Sequence, residues 1–575
     1  MSFIDFDKEK CDECYKCLRT CPTKAIAFLG DRREIINELC IKCGKCQVVC
    51  PQGALKIAQD IDKVKLAIQS KRRVIVTIAP SFASAFKMDE PSQIVTALKY
   101  LGFTHVEETA IGAEVVSQTY ETFIEDGNMK NLITTSCPSA NYLVEQYYPE
   151  SIPYLLPVVS PMIAHGKLLK SRFEEAYVVF IGPCMAKKVE AEGFQNRGVI
   201  DAVITFEELR DWFAEEKVTL THLTPTPFDH VSTKRGCAYP LGGSLFKSDF
   251  RTRINHQYKY VRVDGIEECK DILDAMRKGA LDHYCIEINI CSGSCINGPG
   301  MPDDGTCHFE REMRLHQYVD TKKTLKEAKK KNHFEFDHLD LSKTFEAKNL
   351  CYDIATEADI QNALVRMGKY TKEDQLNCGA CGYDTCREKA RAVVMGISDA
   401  QMCMPYLRQK AESMQSVIFD STPNGIVILD RDLLIRDINP AFDQAFNPEG
   451  SPVKDFPIAA FLEDDLFLQV RDTKKNILGQ RIHFPSIKKT FIVNIVMLEK
   501  EDLILGILAD ITQAEKNQVE LMRVKRETIM TCQGVIENQM RVAQEIASLL
   551  GETTADTKIN LNRLKDIVLS DEGDF

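Results

Sequence analysis

The sequence predicts a multidomain protein that combines α/β and α+β domains. Three features carry that expectation. Cysteines crowd into short runs before residue 404, and only Cys532 follows. Between about 70 and 345, β-branched runs alternate with amphipathic stretches, the pattern of strands feeding helices. After 411 the chain reads first as short strands and then as continuous helix. At 575 residues there is room for about three to five domains. The expected boundaries are 1–65, 70–345, 346–410, 411–512 and 513–575.

Composition narrows the function classes. The net charge is −12 with 27% charged residues, so no basic face for nucleic acid is implied. The N-terminus, Met1-Ser2-Phe3-Ile4-Asp5-Phe6, has no apolar signal core, and no run reaches membrane-spanning length. A cytoplasmic, reducing location is therefore expected, with no membrane partner. In such a compartment 22 clustered cysteines mean metal or redox chemistry rather than disulfides.

In the first module Cys11, Cys14, Cys17 and Cys21 precede Pro22, and Cys40, Cys43, Cys46 and Cys50 precede Pro51. This is C-x2-C-x2-C-x3-C-P written twice. It resembles the bacterial two-cluster ferredoxin, in which the fourth cysteine of each run ligates the other cluster. The resemblance implies one 4Fe–4S cluster on Cys11, Cys14, Cys17 and Cys50, and a second on Cys40, Cys43, Cys46 and Cys21. A zinc module or a disulfide knot is the alternative. So small a module has little core, and its clusters are the expected folding staple.

The central region opens with a helix over Ile61–Ile68, a strand over Arg73–Ala79 and a helix over 91–101. Strands over Asn131–Thr135, Tyr177–Ile181 and Ala202–Ile204 come next, the last feeding a helix over Phe206–Glu216. A largely parallel sheet is expected, with Ser136-Cys137-Pro138 and Gly182-Pro183-Cys184 at carboxyl ends of strands, where open sheets bind ligands. The segments Thr134-Thr135-Ser136-Cys137-Pro138, Gly182-Pro183-Cys184-Met185-Ala186-Lys187-Lys188-Val189-Glu190 and Glu287-Ile288-Asn289-Ile290-Cys291-Ser292-Gly293-Ser294-Cys295 resemble the three signature motifs of the FeFe hydrogenase catalytic domain. Ala79-Pro80-Ser81 and Ser160-Pro161 match further family segments.

That resemblance implies an H-cluster: a cubane on Cys137, Cys184, Cys291 and Cys295, bridged through Cys295 to a diiron unit, with the Lys187 ammonium against a cyanide ligand. An anionic ligand in a dry pocket needs such a paired charge. The departures point toward slow or sensory chemistry. Ser136 stands where the family has a proton-relaying cysteine, and a hydroxyl ionises far less readily than a thiol. Gly182 and Asn289 replace two methionines, and no match to the family's glutamate proton path is found near 114–121. A cubane without the diiron unit, as in the hydrogenase-like iron–sulfur assembly proteins, is the open alternative. Cys237, Cys269, Cys285, Cys307 and Cys351 read as packing residues, Cys285 lying nearest the third motif.

Cys378, Cys381, Cys386 and Cys403 form C-x2-C-x4-C-x16-C. This resembles the small 4Fe–4S domain of corrinoid iron–sulfur proteins and sensory hydrogenases, with zinc as the alternative. A helix over 387–401 returns the chain to the fourth cysteine. Lying between the hydrogenase-like domain and the C-terminal third of the chain, the module is expected to carry electrons onward.

Residues 416–512 resemble a PAS domain, carried by Phe419–Asp430 and by Asp437-Ile438-Asn439-Pro440-Ala441-Phe442. Its ligand is not identified, and His483 reads as a solvated histidine. From 513 a helix carries Leu521, Val524, Thr528, Cys532, Val535, Gln539, Val542, Ile546 and Leu549 at steps of three and four, an apolar seam with polar breaks. It suits a homodimer or packing on its own PAS domain. Gly551 ends it, and a second helix is expected over Thr553–Leu569. No kinase or phosphatase signature is present. The expected protein is a sensory FeFe hydrogenase-like redox protein with three 4Fe–4S clusters plus a cubane or H-cluster. Its partners would be a redox protein and a signalling kinase or phosphatase. The alternatives are a cubane-only regulator or an electron-transfer subunit among other hydrogenase subunits.

Overall fold

The computed structural model describes residues 4–30, 32–243, 257–322, 336, 338–348, 355–448, 450–499, 502–550, 559–560, 562–563 and 565. Cys351 and Gly551 lie outside these, as does nearly all of Thr553–Leu569. The chain divides into two units, Met1–Leu407 and Arg408–Phe575.

In the first unit β1 (Ile4–Phe6) pairs antiparallel with β4 (Leu55–Ile57), and β2 (Ile26–Leu29) with β3 (Arg32–Ile35). The internal repeat is visible in the backbone. Helices Lys16–Thr20 and Lys45–Val49 each follow a left-handed residue, Tyr15 with φ 54° and Gly44 with φ 75°. At Gly44 glycine is required twice over, since a Cβ would also stand 2.6 Å from Met185 Sδ. The ferredoxin-like loop thus lies directly on the segment after Cys184.

The central region contributes β5 (Val74–Ile78), β6 (His105–Glu108), β7 (Leu132–Ile133), β8 (Tyr177–Gly182), β9 (Ala202–Thr205), β10 (Lys259–Asp264) and β11 (Tyr284–Asn289). Every pairing among them is parallel, but they form two sheets rather than one: β6-β5-β8-β9 and β10-β11-β7. The strand expected over Asn131–Thr135 shrinks to two residues. Thr135 leaves the ladder because Tyr120 takes its N–H, while its hydroxyl turns to the carbonyls of Leu156 and Val158. β5 is buried along its whole length, as a central parallel strand covered on both faces should be. Helices Ala110–Asp126 and Pro161–Arg172 meet beside it at Gly112. A Cβ there would run into the Pro161 carbonyl and lie 2.7 Å from His165 Cβ.

The third cysteine module is built on helices Glu357–Arg366 and Cys386–Val394, each opened by a capping box, Thr356 with Asp359 and Thr385 with Glu388. The second is shorter than the expected 387–401. Gly396 turns left-handed at φ 68°, and the freed chain pairs with the first module. Phe28 donates its N–H to Ile397 and accepts one from Asp399. Lys24 pairs with Asp384 at 3.3 Å, and a Cβ on Gly382 would lie 2.8 Å from Leu18. The module therefore docks on the ferredoxin-like module.

The second unit holds β12 (Gly425–Leu429), β13 (Ile435–Ile438), β14 (Ile477–Phe484), β15 (Lys489–Leu498) and β16 (Leu503–Asp510) in one antiparallel sheet, ordered β13-β12-β16-β15-β14. Asn439 caps the helix Pro440–Phe446 and donates to the carbonyls of Phe419 and Asn424, tying the entry segment to the sheet. His483 is exposed on β14, as expected of a solvated histidine, with its Nδ1 3.1 Å from the Thr490 hydroxyl. A 39-residue helix, Thr512–Leu550, completes the unit's described elements.

The crossing at Gly112 makes a direct prediction. Gly112→Ala should cost roughly 1–3 kcal/mol through overpacking, read as a lower denaturant midpoint at unchanged slope. Unchanged stability would show that the two helices are not held at this contact.

Candidate metal centre

In the first module the thiols sort as a crossed pair of quartets. Burial pushes Cys17 up to about 12, with charge on Cys11, Cys50 and Cys14 adding to it. Cys46 is raised well above its ordinary value by burial, then by Cys43, Cys21 and Cys40, with Cys17 also felt. Cys21 also lines one pocket with Cys40, Cys43 and Cys46. The repeat extends to backbone donors: the N–H of Ala25 points to Cys21 Sγ and that of Ala54 to Cys50 Sγ, both at 3.3 Å. Such bonds to sulfur are one way a protein tunes a cluster's potential.

In the central region three chain segments converge. Cys137 follows β7 and Cys291 follows β11 in one sheet, and Cys184 follows β8 in the other. Cys295 reaches the same place through the short turn Ser294–Asn297. Burial raises Cys184 to about 11 and Cys295 to about 12, and the latter is also opposed by charge on Cys184 and Cys137. Cys291 is raised by burial first and then by Cys184, Cys137, Cys295 and Cys43. Cys43 belongs to the second ferredoxin-like quartet, so that quartet abuts this one. Thiols held so high must lose protons when iron binds, and an electropositive core is what makes that favourable.

A cavity opens beside them, lined in part by Ser136, Lys187, Cys295, Thr109, Phe180 and Asn289. Lys187 is 8% exposed, pairs with Glu190 at 2.6 Å and donates to the Ser136 carbonyl at 3.2 Å. The Ser136 hydroxyl is held by Tyr239 at 2.8 Å and Tyr120 at 3.3 Å. Burial raises both phenols, so they remain proton donors. A Cβ on Gly182 would meet the Phe180 ring at 2.5 Å, a contact with no sign in the sequence. Glu114 and Glu121 both pair with Arg235. Burial works to raise Glu114, but Arg235 and Thr233 outweigh it and hold its carboxyl below the ordinary value.

Cys378, Cys381, Cys386 and Cys403 line one small pocket. Lys389, fully buried, lines it too; it donates to the Ser398 hydroxyl and lies 5.3 Å from the Tyr383 ring centre. Burial lowers Lys389 to about 8, against the charge of Cys381. Lysine at this helix position looks solvated in sequence, and the packing of its own module around Ser398 and Tyr383 is what surrounds it. Among the described residues no three His, Cys, Asp or Glu side chains converge on a single-ion site. A cubane presents four separate irons, so its thiolates stand apart. Cys237, Cys269 and Cys285 are buried in packing positions, and Cys307 is exposed.

Residues 72–299 match the family described as iron only hydrogenase large subunit, C-terminal domain. Residues 3–51 match a 4Fe–4S dicluster domain, and 374–405 match a putative Fe–S cluster family. Iron hydrogenase 1 of Clostridium pasteurianum is 28% identical over 371 residues, covering 52% of this chain and 65% of that relative. Cytosolic iron–sulfur assembly component 3 of Mus musculus is 24% identical over 322 residues, covering 44% of this chain and 67% of that one. The FeFe hydrogenase HydA1 from Chlamydomonas reinhardtii aligns in structure at 17% identity with a TM-score of 0.41, over 51% of this chain and 100% of the other. The chain is a hydrogenase-like iron–sulfur protein carrying 4Fe–4S clusters.

Removing the buried cation of the third module should lower its cluster's midpoint potential, because the reduced state is the more negative. In Lys389→Met a shift of about −60 mV corresponds to a tenfold change for one electron. A redox titration tracked by electron paramagnetic resonance reads it, and an unmoved potential would show that the ammonium does not act on the cluster.

Proposed function

We propose that this chain is a sensory hydrogenase-like redox protein, in which slow hydrogen chemistry or cluster redox state at the Cys137, Cys184, Cys291 and Cys295 centre is reported through the C-terminal unit. The observation that carries the reading is the cavity beside Cys295, which holds a buried ammonium and no thiol besides Cys184 and Cys295. The donor set fits an H-cluster: four converging, partly buried thiols for a cubane, with Cys295 also lining the cavity, which would take a diiron unit. When bound, that group would supply the site at which protons and electrons interconvert with hydrogen.

The chain's own residues set the conditions. An ammonium has three donors, and Lys187 spends two on Glu190 and Ser136. The third is available to an anionic ligand. Ser136, locked between two phenols that stay protonated, is a poor proton carrier, which suits slow turnover. The clusters would pass electrons in a spatial line: the Cys378 module, the Cys11 quartet against Leu18, the Cys40 quartet, then the central site. A redox partner would engage the far end of that line, and a signalling kinase or phosphatase would read the C-terminal unit.

The second reading is a cubane-only regulator. The Lys187–Glu190 pair favours it, since the ammonium is already balanced without an anionic ligand. Infrared spectra of protein made with the hydrogenase maturation system separate the two. Bands of CO and cyanide, with about eighteen irons per chain, are expected for the first, and no bands with about sixteen for the second.

The seam on Thr512–Leu550 supports a homodimer, with Leu521 and Val535 more than half exposed and Cys532 exposed. Mild oxidation should yield a covalent dimer that Cys532→Ser abolishes. A species that stays monomeric at all concentrations in sedimentation would count against self-association.

A further inference from the structure

Cys403, the fourth thiol of the third module, also opens a helix. Its carbonyl accepts the Leu407 N–H at 2.9 Å, and the helix Met404–Ser421 follows without a break. Met404 and Pro405, its first residues, line the pocket shared by Cys378, Cys381, Cys386 and Cys403. At its other end the helix meets Asn439, whose side chain is 0% exposed. Nδ2 donates to the carbonyls of Phe419, in the last helical turn, at 3.0 Å and of Asn424 at 2.9 Å. Oδ1 accepts from Ile426 of β12 at 2.7 Å and from Phe442 at 3.0 Å. Two donors and two lone pairs are thus all engaged. The accepted bond from Phe442 caps the helix Pro440–Phe446; the two donated bonds are not part of capping. They hold the end of the incoming helix and the loop behind it. Beyond Phe442 the interior is packed by Phe446, Phe484 and Phe491, with ring centres 4.9–5.8 Å apart. The flanking helix is therefore a better entry for a signal than an interior ligand.

We infer that Asn439 is the latch through which the redox state of the Cys378 cluster reaches the C-terminal sheet. The inference rests on the proposed reading that the C-terminal unit reports cluster state. One electron taken up by the cluster adds one negative charge beside the first turn of Met404–Ser421. That is the end at which a helix favours negative charge, so the reduced cluster holds the turn more tightly. The latch has two states, Phe419 held or released, and a charge that favours one of them shifts the balance. Coupling of this kind is reciprocal, so cutting the latch must also move the redox equilibrium of the cluster. An asparagine that only caps and tethers would be indifferent to the cluster.

The test uses full-length protein with its 4Fe–4S clusters loaded. Hydrogen–deuterium exchange is read by mass spectrometry with the clusters oxidised and then reduced by dithionite. In the wild type, exchange in the last turn of Met404–Ser421 and in β12 should differ about fivefold between the two. Asn439→Asp keeps both accepted bonds, and aspartate caps a helix as well as asparagine does, but both donations are lost. In that variant the β12 difference should vanish. Asn447→Asp adds the same charge and likewise loses two donated bonds, to Asp443 and Ser451, yet should keep the wild-type difference. Asn439→Ser, again a capping residue, replaces the aspartate variant if that one does not fold. The redox equilibrium of the Cys378 cluster should shift about fivefold toward the oxidised state in Asn439→Asp and stay unmoved in Asn447→Asp. A wild-type β12 difference in a folded Asn439 variant, or an unmoved equilibrium, overturns the latch and leaves the reporting role in place. No difference anywhere in residues 408–550 of the wild type overturns the reporting role, and the latch with it.

Discussion

Bringing buried thiols together is unfavourable until iron arrives. Each thiolate would lie in low dielectric beside others of the same sign, and burial alone holds these groups protonated. The first unit is arranged around that constraint. Strand ends from two separate sheets deliver Cys137, Cys184 and Cys291 to one point. Gly44 gives way to Met185 so that a second quartet can abut the first. A cationic iron–sulfur core turns this repulsion into cohesion, so metal loading and the packing of these modules are one event.

The same arrangement explains why order along the chain differs from order in space. The Cys378 module comes after the central domain in sequence, yet Phe28, Lys24 and Leu18 hold it to the N-terminal module. Consecutive clusters are then neighbours, and the central site lies at one end of the line. In the proposed function, a redox partner would exchange electrons at the distal end of that line without approaching the cavity.

Cysteine spacing was legible because a cubane is wrapped locally, three corners by one loop, and the crossed fourth ligand comes from the repeat. The central ligands were legible only through family resemblance, since Cys137 and Cys184 lie 47 positions apart and geometry says nothing at that distance. Two sheets were read as one because Asn131–Thr135 has strand composition, while Thr135 spends its polar groups on Tyr120 and on carbonyls outside the ladder. Lys389 and His165 could not be found in sequence. Each sits on a helix whose pattern leaves its surroundings open, and tertiary packing alone buries it.

The departures from the hydrogenase motifs form a connected set. Replacing a thiol at 136 by a hydroxyl removes an acid that titrates near neutrality, and Tyr239 and Tyr120 then hold that hydroxyl in place. With Glu114 and Glu121 committed to Arg235, the helix Ala110–Asp126 offers no free carboxylate there to move protons. With few groups placed to move protons, the chemistry proposed for this cavity would be slow, which would suit a reporter of redox state.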